Sequence, residues 1–149
     1  MATSSALDTL IELATKETDE AAKRLGKCMK TAEESEQKLA LLTQYRDDYA
    51  ARFQQNLSTG LSALGYQNYQ LFLSKLEQAI SSQQLVVRDA HLRVERERSA
   101  WQASERKRMS YGTLANRAEK ARQLQENKRD QKQTDEHAAR ALLLSLIHI

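Results

Sequence analysis

The sequence has no proline, four glycines and one cysteine in 149 residues, and only 5% of its side chains are aromatic. Each shortage excludes something. Without proline, no missing amide donor or ring clash interrupts a helix. With few glycines, the positive backbone angles that tight turns require are scarce, so a fold of many short elements is excluded. The single Cys28 cannot form an intrachain disulfide and suits a reducing compartment. So few large apolar side chains also argue against a compact globular core. The opening stretch, MATSSALDTLIELATKETDE, has neither a basic lead nor a long apolar run. It reads as neither a secretory signal nor a membrane span, and a cytoplasmic location is expected.

What is abundant is Ala, Leu, Gln, Glu, Arg and Lys, residues that lose little side-chain freedom in a helix. Together with a charged fraction of 29%, this bias indicates long helices or a coiled coil. The net charge of +3 conceals an uneven distribution. Residues 1–57 carry 8 basic and 10 acidic side chains, whereas residues 88–140 carry 14 basic and 9 acidic ones. The runs RVERER, ERKR and NKRDQK make the second half cationic. Such runs are either a solvated helix face laced with i,i+4 ion pairs or an electrostatic docking surface for an acidic protein or nucleic acid.

One place breaks the helical pattern. The segment NLSTGLSALGYQN, Asn56 to Asn68, gathers Ser, Gly and Asn and holds Gly60 and Gly65, residues that end helices. Before it, Ile11, Thr18, Leu25, Ala32, Leu39, Arg46 and Phe53 recur every seven residues, at positions written a. Leu7, Ala14, Ala21, Cys28, Ser35, Leu42, Tyr49 and Asn56 do the same at d, and eleven of these fifteen residues are apolar or aromatic. Beyond the break, Leu73, Ile80, Val87, Val94 and Trp101 occupy a. Tyr69, Leu76, Gln83, Ala90, Ser104 and Tyr111 occupy d, with Glu97 discordant. Past Leu114, Ala118, Ala121 and Leu124 the stripe fades into QENKRDQKQTDE. A sustained a/d repeat is a coiled-coil seam, and two helices joined by a short turn run antiparallel. The predicted fold is therefore all-α: a long antiparallel two-helix coiled coil, an α-hairpin. Its first helix covers 1–57, its turn 58–66 and its second helix 67–141. Many small seam residues imply modest stability and leave room for a third helix or self-association.

The stretch LTQYRDDYAARF, Leu42 to Phe53, poses a question this lattice answers. Tyr49 lies at d, in the seam. Tyr45 lies at g, beside it, as do Phe72 and Ala79 on the second arm. In an antiparallel pair the g positions of both helices line one side. Folding about the turn sets Tyr45 roughly opposite Ala79, and Arg52 opposite Phe72. Tyr45, Phe72 and Ala79 thus share a semi-exposed patch, which is either a binding surface or a widening of the seam.

No catalytic constellation is present. His91 lies four residues from Glu95, and Glu136 adjoins His137, but no HExxH or multi-cysteine metal pattern exists. Cys28 sits on the seam, where it serves as a small core residue. The pairs Glu33–Glu34 and Asp47–Asp48 read as solvated helix faces. A two-helix rod encloses no pocket in which to shift a pKa or exclude water, so neither enzymatic activity nor a cofactor or metal is expected. Nucleic acid is the strongest competing partner on charge alone. Against specific binding, Trp101 and Tyr111 are the only aromatics of the cationic arm, and both fall on the seam.

The ordered set ALDTLIELATKETDEAAKRLG, LTQYRDDY, NYQLFLSKLEQAI, the Trp101 region and ENKRDQKQTDEHAAR resembles the FliJ family, the small coiled-coil component of the bacterial flagellar type III export apparatus. The resemblance runs from the start to about Ala141. It implies an antiparallel coiled coil similar to the stalk subunit of rotary ATPases. It further implies insertion into the pore of the hexameric export ATPase, with promotion of its assembly. Contact with the cytoplasmic domain of the export gate, and escort or recycling of substrate chaperones, are also implied. The protein would then be peripheral to the inner membrane, at the cytoplasmic face of the flagellar base. The family's gate-facing surface carries onto Leu42, Tyr45, Tyr49, Phe72, Leu76 and Ala79. Where members often have Gln and His flanking this surface, Lys38 and Gln83 stand here. The alternative is a generic self-associating coiled-coil scaffold or tether.

The ending ALLLSLIHI departs from the polar, basic ending usual in the family. Its last six residues are what CTGTCTCTTATACACATC encodes, a common transposase-adapter sequence in sequencing libraries. Residues 144–149 are accordingly expected to be an adapter-derived tail, the alternative being a genuine apolar tail that packs on a partner.

Overall fold

Only one interruption breaks the helical pattern of this chain, and the chain reverses there. The computed structural model describes residues 2–148, of which α1 spans Ala2–Thr59 and α2 spans Ala63–Ile147. The two helices pack against each other as an antiparallel α-hairpin, with Gln83 bonded to Ser35 and Glu97 paired with Arg24 across the seam.

The reversal is narrower than the turn expected over 58–66: only residues 60–62 leave the helices. Both ends are capped locally. Gly60 takes a φ of +97°, the left-handed region that glycine enters without a Cβ clash, and its N–H donates to the Leu57 carbonyl at 3.4 Å. The Ser58 and Thr59 hydroxyls donate back to the carbonyls of Gln55 and Asn56. On the far side Ser62 begins α2 as an N-cap. Its Oγ accepts the Gly65 N–H at 3.1 Å, and its carbonyl accepts the Tyr66 N–H at 3.0 Å. That cap offsets the weak helix propensity of Gly65 and lets α2 start before it.

The chain divides into two units, one formed by Thr18–Ala103 and the other by the stretches up to Glu17 and from Ser104. In the first, α1 supplies mostly small seam residues, Thr18, Ala21, Ala32 and Ser35, all buried. From α2 come the larger buried side chains Leu76, Ile80 and Val94. Gln83, buried at d, donates its amide to the Ser35 carbonyl at 2.9 Å, while the Ser35 hydroxyl donates to the Ala32 carbonyl. Among the described residues no fully buried side-chain nitrogen or oxygen lacks a partner, as burial requires. Discordant Glu97 finds Arg24 of the other helix at 3.3 Å, and half-buried Arg46 finds the adjacent Asp47. Glu36 and His91 pair across the seam as well.

Toward the reversal the seam becomes aromatic. Phe53 and Tyr69 stack at 3.6 Å between ring centres and 9° between planes. Tyr69 also stacks on Tyr49 at 5.2 Å, Tyr49 meets Phe72 at 4.4 Å, and Phe53 meets Tyr66 at 5.7 Å. Five rings from both helices thus form one continuous ladder. Offset-stacked and tilted rings attract beyond the area they bury.

In the second unit Leu7 and Ile11 are half-buried and Ala14 is buried, and on α2 Ser104, Glu105, Arg108, Tyr111, Gly112 and Ala115 are half-buried. Lys107 and Glu17 pair at 3.7 Å. From Asn116 to His148 every residue is exposed, and ion pairs within α2 support the helix. Arg122 bridges Glu119 and Glu126, both at 2.8 Å. Hydrogen bonding from Arg108 and Arg122 holds the carboxyls of Glu105 and Glu119 below the usual carboxylate range. A depressed pKa contributes stability above the unfolded value that is lost as pH falls through the folded one. At such exposed sites the contribution is small.

Two sets of substitutions test this account. Gly60→Ala leaves open space around the new Cβ but strains the left-handed backbone, so it lowers stability by about 1–2 kcal/mol. Gly26→Ala, in open space within α1, raises it by about 0.5–1 kcal/mol. Phe53→Ala removes the stacked centre of the ladder and costs roughly 2 kcal/mol, whereas Tyr45→Ala stays within about 0.5 kcal/mol. Urea unfolding followed by helical circular dichroism measures all four.

Candidate functional site

The register that buries the a and d stripes leaves the g positions beside them half in water. On α1 the g position before the ladder is Tyr45, which is 57% exposed, and on α2 it is Phe72, 47% exposed. Between them runs an open groove of about 420 Å³, lined by Tyr45, Asp48, Tyr49, Arg52, Phe72 and Leu76. Its floor is apolar. Leu76 is buried, and Tyr49 presses its ring against Phe72. Asp48 and Arg52 supply a polar rim of both signs.

Of the six residues singled out from the sequence, Tyr45, Tyr49, Phe72 and Leu76 line this groove. Leu42 is half-buried in the seam, and Ala79 is exposed on the g flank; neither belongs to the groove lining. Arg52 and Phe72, expected opposite each other, do line it together. Lys38 is exposed, but Gln83 is buried and committed to the Ser35 carbonyl. At 8% exposure that side chain offers a partner little polar edge.

Sequence reasoning missed the support beneath the groove. Tyr69, Phe53 and Tyr66 are not groove residues, yet their stacking fixes the Tyr49 ring and through it Phe72. The signal was available: aromatics stand at a and d on both sides of Gly60. An anchored, half-exposed aromatic loses little further freedom when a partner covers it, which is what favours rings as binding anchors.

Among the described residues no three His, Cys, Asp or Glu side chains converge as metal ligands, and no helix is long and apolar enough to cross a membrane. Cys28 is half-buried on the seam. A second open groove, about 530 Å³, lies on the other flank over Ala32 and Val94, with Lys30, Glu33, Glu36, His91 and Arg98 around it. Its lining is mixed in charge and holds no Phe, Tyr or Trp.

The family described as "Flagellar FliJ protein" matches residues 3–145. The chain is similar to the flagellar FliJ protein of Salmonella typhi, 33% identical over 143 residues that cover 96% of this chain and 97% of that one. It is similar also to the flagellar FliJ protein of Escherichia coli (strain K12), 32% identical over 143 residues with the same coverage. A match that spans both helices, the reversal between them and the aromatic flank places the chain in the FliJ family of flagellar proteins.

Proposed function

We propose that this flagellar protein is a non-enzymatic component of the flagellar export apparatus, and that the flank around Tyr45 and Phe72 docks on the cytoplasmic domain of the export gate. The observation that carries the reading is the half-exposed Phe72 ring, anchored on Tyr49 at the end of the ladder, with half-exposed Tyr45 lining the same groove. Leu42, Tyr49, Leu76 and Ala79 complete the surface, Tyr49 and Leu76 as its floor. Family membership supplies the partner, and the groove supplies the chemistry: apolar, aromatic, rimmed by one acid and one base.

The other partners follow from family membership. The export ATPase hexamer receives the helical ends, and the mixed charge of residues 88–140, 14 basic against 9 acidic, suits a ring pore lined by polar loops. Empty substrate chaperones are escorted or recycled. The protein works at the cytoplasmic face of the inner membrane, held there by the apparatus.

Two measurements test the reading. Tyr45→Ala and Phe72→Ala, made singly in the full chain, each weaken binding to a gate fragment by about 2 kcal/mol or more while helix content is retained. Unchanged affinity in both removes the flank from the mechanism. Adding the protein to the cognate ATPase raises ATP hydrolysis through ring assembly; no change argues against the stalk-like role.

A further inference from the structure

A second apolar stripe runs along α2, away from the seam. Leu64, Leu71, Leu85 and Leu92 stand at seven-residue spacing with Gln78 in the middle place. All four leucines are exposed, from 48% to 68%. Each lies two positions before a seam place, on the outward side of the helix. A single exposed leucine carries no meaning. Four in one heptad register do, because a seven-residue repeat is the period at which one helix keeps meeting another.

The surroundings of the stripe are unusual for this chain. From Ser58 to Val87 the only charges are Lys75 and Glu77, although 29% of the whole sequence is charged. Ser74, Ser81 and Ser82 border the leucines and are small enough for close helix approach. From Leu64 to Leu85 the stripe thus has the composition of an interface centre, while Leu92 at its end lies among Arg88, Asp89 and Arg93.

We propose that this face joins two copies of the chain, α2 against α2, antiparallel about a two-fold axis at Gln78. The stripe reads the same in both directions: Leu, Leu, Gln, Leu, Leu. Under that symmetry Leu64 of one copy meets Leu92 of the other and Leu71 meets Leu85. The two Gln78 amides face each other, each with a donor and an acceptor to share. Charge selects the antiparallel pairing. A parallel pair would align the leucines equally well, but it would set Arg88, Asp89 and Arg93 beside their own counterparts. Antiparallel, those residues face uncharged Asn68, Gln67 and Ala63, and the helix dipoles oppose. With four leucines from each copy, the interface falls at or below about 1,200 Å², the lower end for specific contacts, so the pair is reversible. The proposal is independent of the gate reading, because Tyr45 and the groove floor take no part in it.

Sedimentation equilibrium of the full chain tests the association. The expected result is a concentration-dependent dimer. Leu71→Glu with Leu85→Glu, both at exposed places, keeps helix content and weakens the dimer about tenfold or more. Cross-linking tests the geometry in a Cys28→Ala background. Gln78→Cys chains form disulfide-linked pairs on mild oxidation. Leu64→Cys chains link with Leu92→Cys chains, and neither links with itself. A monomer throughout the accessible concentration range, or unchanged association in the double variant, overturns the proposal. Linking of Leu64→Cys with itself overturns the antiparallel geometry. A chain that stays monomeric but binds an unrelated leucine-striped helical peptide gives the face to a foreign helix and overturns it too.

Discussion

Two packed helices have no third to share their apolar surface, so each contact in the hairpin unit depends on holding α1 and α2 in one register. A slip of one residue along either helix would carry the stripe about 100° around the axis and open the seam. Three features oppose such a slip. The Gly60 and Ser62 caps fix the length of the reversal. The ring ladder from Tyr66 to Phe72 admits one interdigitation. The Gln83 amide finds its acceptor at a single carbonyl, that of Ser35. A polar residue inside a seam commonly specifies alignment at some expense of stability.

The same register makes the surface. Small residues on α1, above all Ala21, Ala32 and Ser35, let the helices approach closely, so the flanking positions are pressed outward. Tyr45 and Phe72 stay half in water because Tyr49 already fills the space between them. A flank of this kind is a by-product of good seam packing, and it is rigid for the same reason. Its shape is therefore set by residues such as Phe53 and Tyr69 that lie outside the groove lining.

Much of this was legible in the sequence. The a/d lattice without a slip told of the hairpin, and each seam residue assigned up to Phe53 is buried or half-buried. The g positions of Tyr45 and Phe72 followed from counting alone. Other features were hidden because they depend on what lies across the seam. Gln83 falls at d in the lattice, but its acceptor is hidden until it is seen opposite Ser35, whose short side chain leaves room for an amide. Glu97 breaks the pattern until Arg24 meets it. Gly65 reads as part of the turn, but the Ser62 cap draws it into α2. The outer leucines of α2 escape notice in any pattern search that stops once one good stripe is found.

The helix beyond Asn116 has no packed face at all, and within its fully exposed stretch the side-chain links run from one turn of itself to the next, as in the bridge from Arg122 to Glu119 and Glu126. Surface pairs of that sort hold a helix only marginally. Backbone amides there should exchange with solvent far faster than those near the ring ladder. A partner gripping this stretch must first arrest that breathing, and the entropy lost in doing so trims the grip. Any hold on this stretch would therefore be looser than on a helix already ordered by packing.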